Sequence, residues 1–128
     1  MSNFYDSDSY IKELSPKDFD KTFPWILNNK GKCVVLYYAP WCPHCVHAKD
    51  MWKDFGAAVK KSGKKVSVYA FNCEGPANNK SNKAHLGKMR EDNPGLVTGF
   101  PTIQIYEGGK PTETYDGERS VKALVAYF

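Results

Sequence analysis

Arginine is scarce in this chain. Of 18 Lys and Arg side chains only two are arginine, Arg90 and Arg119, although the formal net charge is +4. The lysines are scattered, with short runs at Lys60-Lys61 and Lys64-Lys65, and read as a solvated surface. Nucleic-acid binding asks for arginine, interleaved aromatics and a contiguous basic stripe, so no nucleic-acid partner is expected. Long apolar runs are also missing. None approaches the ~18 residues of a membrane span, so no membrane partner is expected. Residues 1–9 are polar and acidic, with no basic stretch leading into an apolar one. No signal peptide is therefore expected, and an intracellular or virus-associated setting is favoured. Cysteine is too sparse, at four in 128 residues, for a disulfide-dense secreted scaffold. Hydrophobic content of 41% and charged content of 25% are ordinary for a globular chain. The length suits one domain with a real core. The reading is a flexible arm over residues 1–9 and a single domain over 10–128, without repeats.

What is present is Trp41-Cys42-Pro43-His44-Cys45, placed directly after the apolar run Cys33 to Ala39. Such a run suits a strand buried on both faces. After the motif, Cys45, Ala48, Trp52, Phe55 and Val59 recur at spacings of three and four, the signature of one helix face. The cysteines thus straddle a strand-to-helix turn that can hold two sulfurs together. Cys45 falls on the buried side and Cys42 at the exposed helix tip, where the helix field favours a thiolate. Competing readings are weak. Zinc needs four ligands, and no second CxxC or spaced His pair accompanies the first. Haem attachment needs His directly after the second Cys, where Val46 stands. Two unrelated buried cysteines remain the bland alternative to a redox pair.

The rest of the chain reads as alternating elements. Tyr10 to Leu14 can form a short strand. Ser15-Pro16-Lys17-Asp18 has the form of a helix start, and Phe19 and Phe23 share a face at i, i+4. Pro24 should end that helix, and Trp25-Ile26-Leu27 is expected to continue as a second helical piece. Val66 to Phe71 is the next strand, followed by a polar stretch from Asn72 to Asn82. A modest helix over about 82–91 turns Leu86 and Met89 inward, with His85 near that face as a structural side chain. Ile103 to Tyr106 and Thr112 to Tyr115 form a hairpin around Gly108-Gly109. Val121, Leu124, Val125 and Phe128 mark a last helix. The order β-α-β-α-β-α-β-β-α predicts an α/β fold with a mixed sheet flanked by helices.

Three segments in this order carry a resemblance: Tyr38-Ala39-Pro40-Trp41-Cys42-Pro43-His44-Cys45, Gly99-Phe100-Pro101-Thr102, and Tyr115-Asp116-Gly117-Glu118-Arg119. Together they resemble the thioredoxin superfamily, and most a catalytic domain of the protein disulfide isomerase type. The Pro-His dipeptide is instead similar to the bacterial periplasmic oxidant of that superfamily. The Lys and Asn bias fits a virus-encoded or parasite-encoded member.

The resemblance implies a thioredoxin fold over about 10–128 and thiol–disulfide exchange on cysteine-containing protein substrates. It implies no metal or organic cofactor; the redox partner is not identified. It makes Cys42 the attacking sulfur and Cys45 the resolving one. Physical reasoning agrees, because only a thiolate attacks and only an accessible sulfur meets a protein. His44 in its charged form can stabilise the Cys42 thiolate and make the disulfide more oxidising; the alternative is an exposed side chain. Pro101 matches the family's cis-proline, and the backbone beside it, with Phe100, would receive an extended substrate. Trp41 packs beside the active site. Arg119 matches an arginine that helps the second cysteine ionise, with a surface arginine as the alternative. A thioredoxin-like binding or chaperone module with weak redox activity is the competing function.

Two departures from the family stand out. Leu36 occupies the position, six before Cys42, of a buried acid, and the usual lysine partner falls at about Ala70. Asp50 replaces the helix-kinking proline. Cys45 is therefore expected to lack the usual proton acceptor, and release of mixed disulfides to be slow. Cys33 and Cys73 are expected at opposite ends of neighbouring parallel strands.

Overall fold

The computed structural model describes residues 3–75 and 80–128. Met1 and Ser2 of the expected arm, and residues 76–79 of the polar stretch, lie outside the described residues. The strands are β1 (Lys12–Glu13), β2 (Lys32–Tyr38), β3 (Ser67–Asn72), β4 (Thr102–Glu107) and β5 (Lys110–Thr114). The helices are α1 (Pro43–Ser62), α2 (Ser81–Asp92) and α3 (Val121–Tyr127). One five-stranded sheet runs β1-β3-β2-β4-β5. β1 and β2 flank β3 in parallel, and the β4–β5 hairpin closes the other side antiparallel. This is the mixed sheet flanked by helices that the sequence predicts.

β2 is the central strand, and its apolar run is explained by burial on both faces. Val34, Leu36 and Tyr38 join Cys45, Trp52 and Phe55 of α1 and Leu124 of α3 in one core. Cys33, Val35 and Tyr37 point the other way, into a core with Phe71, Leu86 and Met89. Alternation along an extended chain forces this split. Gly56 lets α1 come close to the chain entering β1, since a Cβ there would lie 2.8 Å from Ile11 Cγ1. In the β4–β5 turn, Gly108 and Gly109 have φ of 64° and 84°, which suits the mirror-image turns of tight hairpins.

Two expectations are corrected here. The helix over Ser15 to Pro24 and its continuation at Trp25-Ile26-Leu27 do not form. Only a 3-10 turn, Pro16–Asp18, remains. The Asp20 carboxylate accepts the backbone N–H groups of Thr22 and Phe23 at 2.8 and 2.9 Å, which turns the chain back. Phe19 then bridges Leu27 antiparallel, and the Leu27 N–H donates to the Gly109 carbonyl at 2.8 Å. Phe19 is buried whereas Phe23 is exposed, so the i, i+4 pair was not a helix face.

Of the expected flexible arm, the described part, residues 3–9, is instead laid on the domain. Tyr5 is buried, and its hydroxyl donates to the Lys49 carbonyl at 2.9 Å. Phe4 stacks on Tyr38 with centroids 4.4 Å apart, and its N–H donates to the Tyr38 hydroxyl at 2.8 Å. The anchor beneath is Glu13. Its Oε2 accepts the Tyr38 hydroxyl at 2.5 Å and the Tyr5 N–H at 3.1 Å. Its Oε1 is buried without a partner among the described residues.

Burial pushes the Glu13 carboxyl up from 4.5 to about 7, against the lowering pull of its hydrogen bonds. The folded state therefore holds a proton that the unfolded chain loses at about pH 4.5. The stability this carboxyl contributes falls as pH rises from about 4.5 to about 7, by on the order of 3 kcal/mol, and is level on either side. Denaturant unfolding across pH 4 to 8 should show this fall, and Glu13→Gln should flatten it and leave the variant more stable than the parent at pH 8. A parent curve already flat over that range would contradict the buried carboxyl.

Cys33 pairs in register with Ser67, and Cys73 follows the last residue of β3. Six residues at about 3.3 Å each place them roughly 20 Å apart along the sheet, far beyond the ~7 Å Cα separation of a disulfide. Thiol titration of unfolded protein, after oxidation of the Cys42–Cys45 pair, should return two free thiols; peptide mapping that found a Cys33–Cys73 bridge would refute the strand register.

Candidate active site

β2 runs out at Tyr38, and the Cys42 N–H turns back to the Ala39 carbonyl at 3.0 Å. Cys42 is the N-cap of α1, with extended backbone at φ −80° and ψ 118°. Pro43 takes the first helical position, where no donor is needed and a φ near −65° is an advantage. The Val46 N–H then closes the first turn on the Cys42 carbonyl at 3.0 Å. The helix runs unbroken to Ser62, with Asp50 where the family carries proline. The first cysteine thus sits where backbone N–H groups and the helix dipole favour negative charge.

The structure corrects the accessibility expected of Cys42. It is not an exposed tip: only 5% of the residue is accessible. The loop before β4 covers it, and the Cys42 thiol donates to the Phe100 carbonyl at 3.8 Å. Cys45 is fully buried, packed with Leu36, Ala39 and Trp52. Burial holds its thiol well above the ordinary range, the Cys42 sulfur beside it adds to this, and the Ala39 N–H and Arg119 oppose it. One sulfur at a helix start and one sealed behind it make an ordered pair.

The covering loop is held by bonds to the Gly99 and Pro101 carbonyls on either side of Phe100. The Phe100–Pro101 bond is cis. The Thr102 hydroxyl donates to the Gly99 carbonyl at 2.5 Å, and Arg119 Nη2 donates to the Pro101 carbonyl at 3.1 Å. Arg119 is exposed, so it reaches the site from the surface, and it is the cation that favours a Cys45 thiolate. Trp41 is 54% exposed and meets the half-buried Phe100 edge-on, with centroids 6.1 Å apart. Its indole N–H donates to Glu74 Oε1 at 2.8 Å, and Glu74 pairs with Lys83 at 3.7 Å. His44 projects into solvent from the first turn of α1. The site residues read from sequence therefore gather at one end of the sheet, from three separate parts of the chain.

Leu36 and Ala70 are fully buried, so neither the acid nor the lysine of the usual pattern is present at those positions. A buried carboxyl exists nonetheless. Glu13 pairs in register with Ala70, which pairs with Leu36, so the three stand in one row across the sheet. Glu13 stands two strands outward from Leu36, and its neighbours Tyr5 and Tyr38 lie in the same core as Cys45. Nothing in the local sequence Ile11 to Leu14 marks Glu13 as buried, because its cover comes from Tyr5 and Tyr38. Arg90 likewise carries no local mark, because it acts on a backbone carbonyl, that of Val97. Among the described residues, no three His, Cys, Asp or Glu side chains gather as a metal site, and no helix is long and apolar enough to cross a membrane.

Comparison with known proteins places this geometry. The protein disulfide-isomerase MPD1 of Saccharomyces cerevisiae is 42% identical over 98% of this chain and 40% of its own length. Protein disulfide-isomerase A6 of Mus musculus is 32% identical over 98% of this chain and 24% of its own length. The chain thus spans less than half of these curated relatives. The J-Trx1 fragment of ERdj5 superposes with a TM-score of 0.72 at 27% identity, over 97% of this chain and 52% of the other. The thioredoxin family profile matches residues 11–128, and the chain belongs to that family.

Proposed function

We propose that this domain exchanges disulfides with cysteine-containing proteins through Cys42 and Cys45, as a thiol–disulfide oxidoreductase or isomerase. The observation that carries the reading is the ordered pair: Cys42 at a helix N-cap, facing a fixed carbonyl, with Cys45 buried directly behind. The relatives' names as protein disulfide-isomerases support it.

The chemistry follows from the order of the sulfurs. The Cys42 thiolate attacks one sulfur of a substrate disulfide; that S–S bond breaks, one substrate thiolate leaves, and a mixed disulfide forms. Cys45 then loses its proton and attacks Cys42 Sγ. The mixed disulfide breaks, the second substrate thiolate leaves, and Cys42–Cys45 is left oxidised while the substrate has gained two electrons. The reverse sequence oxidises a substrate. Burial of Cys45 makes loss of its proton the demanding step, and Arg119 assists it. The edge-on pair of Trp41 and Phe100 offers an apolar rim for the chain that carries the substrate sulfur. That rim also favours the second reading, a chain-binding module with weak exchange.

Reduction of insulin and refolding of a scrambled disulfide protein decide between the two. The parent should turn over in both assays, and Cys42→Ser should lose all turnover while keeping its fold. An inactive parent that still suppresses aggregation would establish the binding module instead.

His44 stands free in solvent one residue before Cys45, where a positive imidazole can favour the reduced, thiolate-bearing form. His44→Ala should shift the potential measured against glutathione to a more negative value, by about 30 mV for each tenfold change in the exchange constant. An unchanged potential would leave His44 without a redox role.

A further inference from the structure

With 16 lysines available, this chain uses its two arginines on a single loop. Arg119 holds the Pro101 carbonyl at 3.1 Å. Arg90, near the end of α2, reaches the other end of the same loop, where Nε and Nη2 both donate to the Val97 carbonyl, at 2.9 and 2.5 Å. The Arg90 guanidinium also lies over the Phe100 ring, 5.8 Å from its centroid. The three ion pairs among the described residues all use lysine, so Arg90 is committed to a backbone carbonyl and a ring.

The residue it grips is unusual. Val97 is buried and has a φ of 54°, and it is the one non-glycine residue with positive φ among those described. A β-branched side chain disfavours that region, so the conformation persists only where its surroundings impose it. Beyond Val97 come the exposed Thr98 and Gly99, and then Phe100, whose carbonyl takes the Cys42 thiol. The strained residue, its brace and the surface beside the reactive sulfur are consecutive parts of one device.

We propose that Arg90 is a positioning residue for disulfide exchange, fixing residues 97–100 in the shape that receives the substrate chain beside Cys42. A lysine cannot replace it, because one ammonium does not fork two N–H groups onto the carbonyl while keeping a cation over the Phe100 ring. The inference rests on the exchange activity proposed above.

The test compares two substrates with the parent, Arg90→Lys and Arg90→Gln. One is a disulfide-bonded peptide long enough to lie along the loop; the other is a small aromatic disulfide that meets Cys42 alone. For the peptide, KM should rise about five- to tenfold in both variants while kcat changes less than about twofold, the pattern of lost binding rather than lost chemistry. The small disulfide should react at the parent rate. Thermal melts identify folded variants, and Arg90→Lys, which keeps charge and length, decides if Arg90→Gln does not fold. Parent-like peptide kinetics in Arg90→Lys would overturn the proposal, as would equal losses on both substrates, which mean general damage to the site. A parent inactive on both substrates overturns the exchange reading itself, and this inference with it.

Discussion

The structure depends on where one thiol sits relative to a helix. Cys42 caps α1 at the point where β2 ends, so a sulfur able to carry charge stands against the helix N-terminus. The other three cysteines are buried as well, without that capping position. Burial pushes Cys33 up to about 11 despite an opposing hydrogen bond with Ser67, and burial drives Cys73 higher still. A buried thiolate is costly, so desolvation disfavours ionisation of these three, and Cys42 alone among the four holds the N-cap position of α1. The sheet serves this placement. β2 must be central to be buried on both faces, and its end must meet the loop of β4, its antiparallel neighbour, for Phe100 to face Cys42.

Much of this was legible along the chain. The seven-residue apolar run, the CxxC after it and the three-four spacing to Val59 together state a buried strand, a turn and a helix with one buried sulfur. Local signals of this kind are read well because each is settled by neighbours in sequence. The segment Phe19 to Leu27 misled because its apolar spacing imitates a helix face. Asp20 captures two backbone donors there, and a partner some 80 residues on, Gly109, takes a third. The accessibility of Cys42 was misjudged for the same reason, since its cover comes from Phe100, far away in sequence.

Glu13 and Arg90 show what single-chain reading misses. Neither belongs to a motif, and each gains its role from a contact that local patterning does not show: the Tyr38 hydroxyl, 25 residues on, for Glu13, and a backbone carbonyl, that of Val97 seven residues on, for Arg90. With Leu36 rather than a carboxyl on the central strand, that side chain packs in the core with α1, and the partly buried Glu13 stands on the edge strand. Glu13 is joined to the Tyr38 hydroxyl and the Tyr5 backbone N–H, and burial outweighs both bonds, which is why its charged form is disfavoured.

The central claim is that position at the helix start, more than exposure, selects the reactive sulfur. The direct measurement is competitive alkylation of the fully reduced protein with iodoacetamide at mildly acidic pH, followed by peptide mapping over time. The account predicts that Cys42 is labelled first, with Cys45, Cys33 and Cys73 protected until the protein unfolds. Early labelling of Cys45, or labelling of all four sulfurs at one rate, would contradict it.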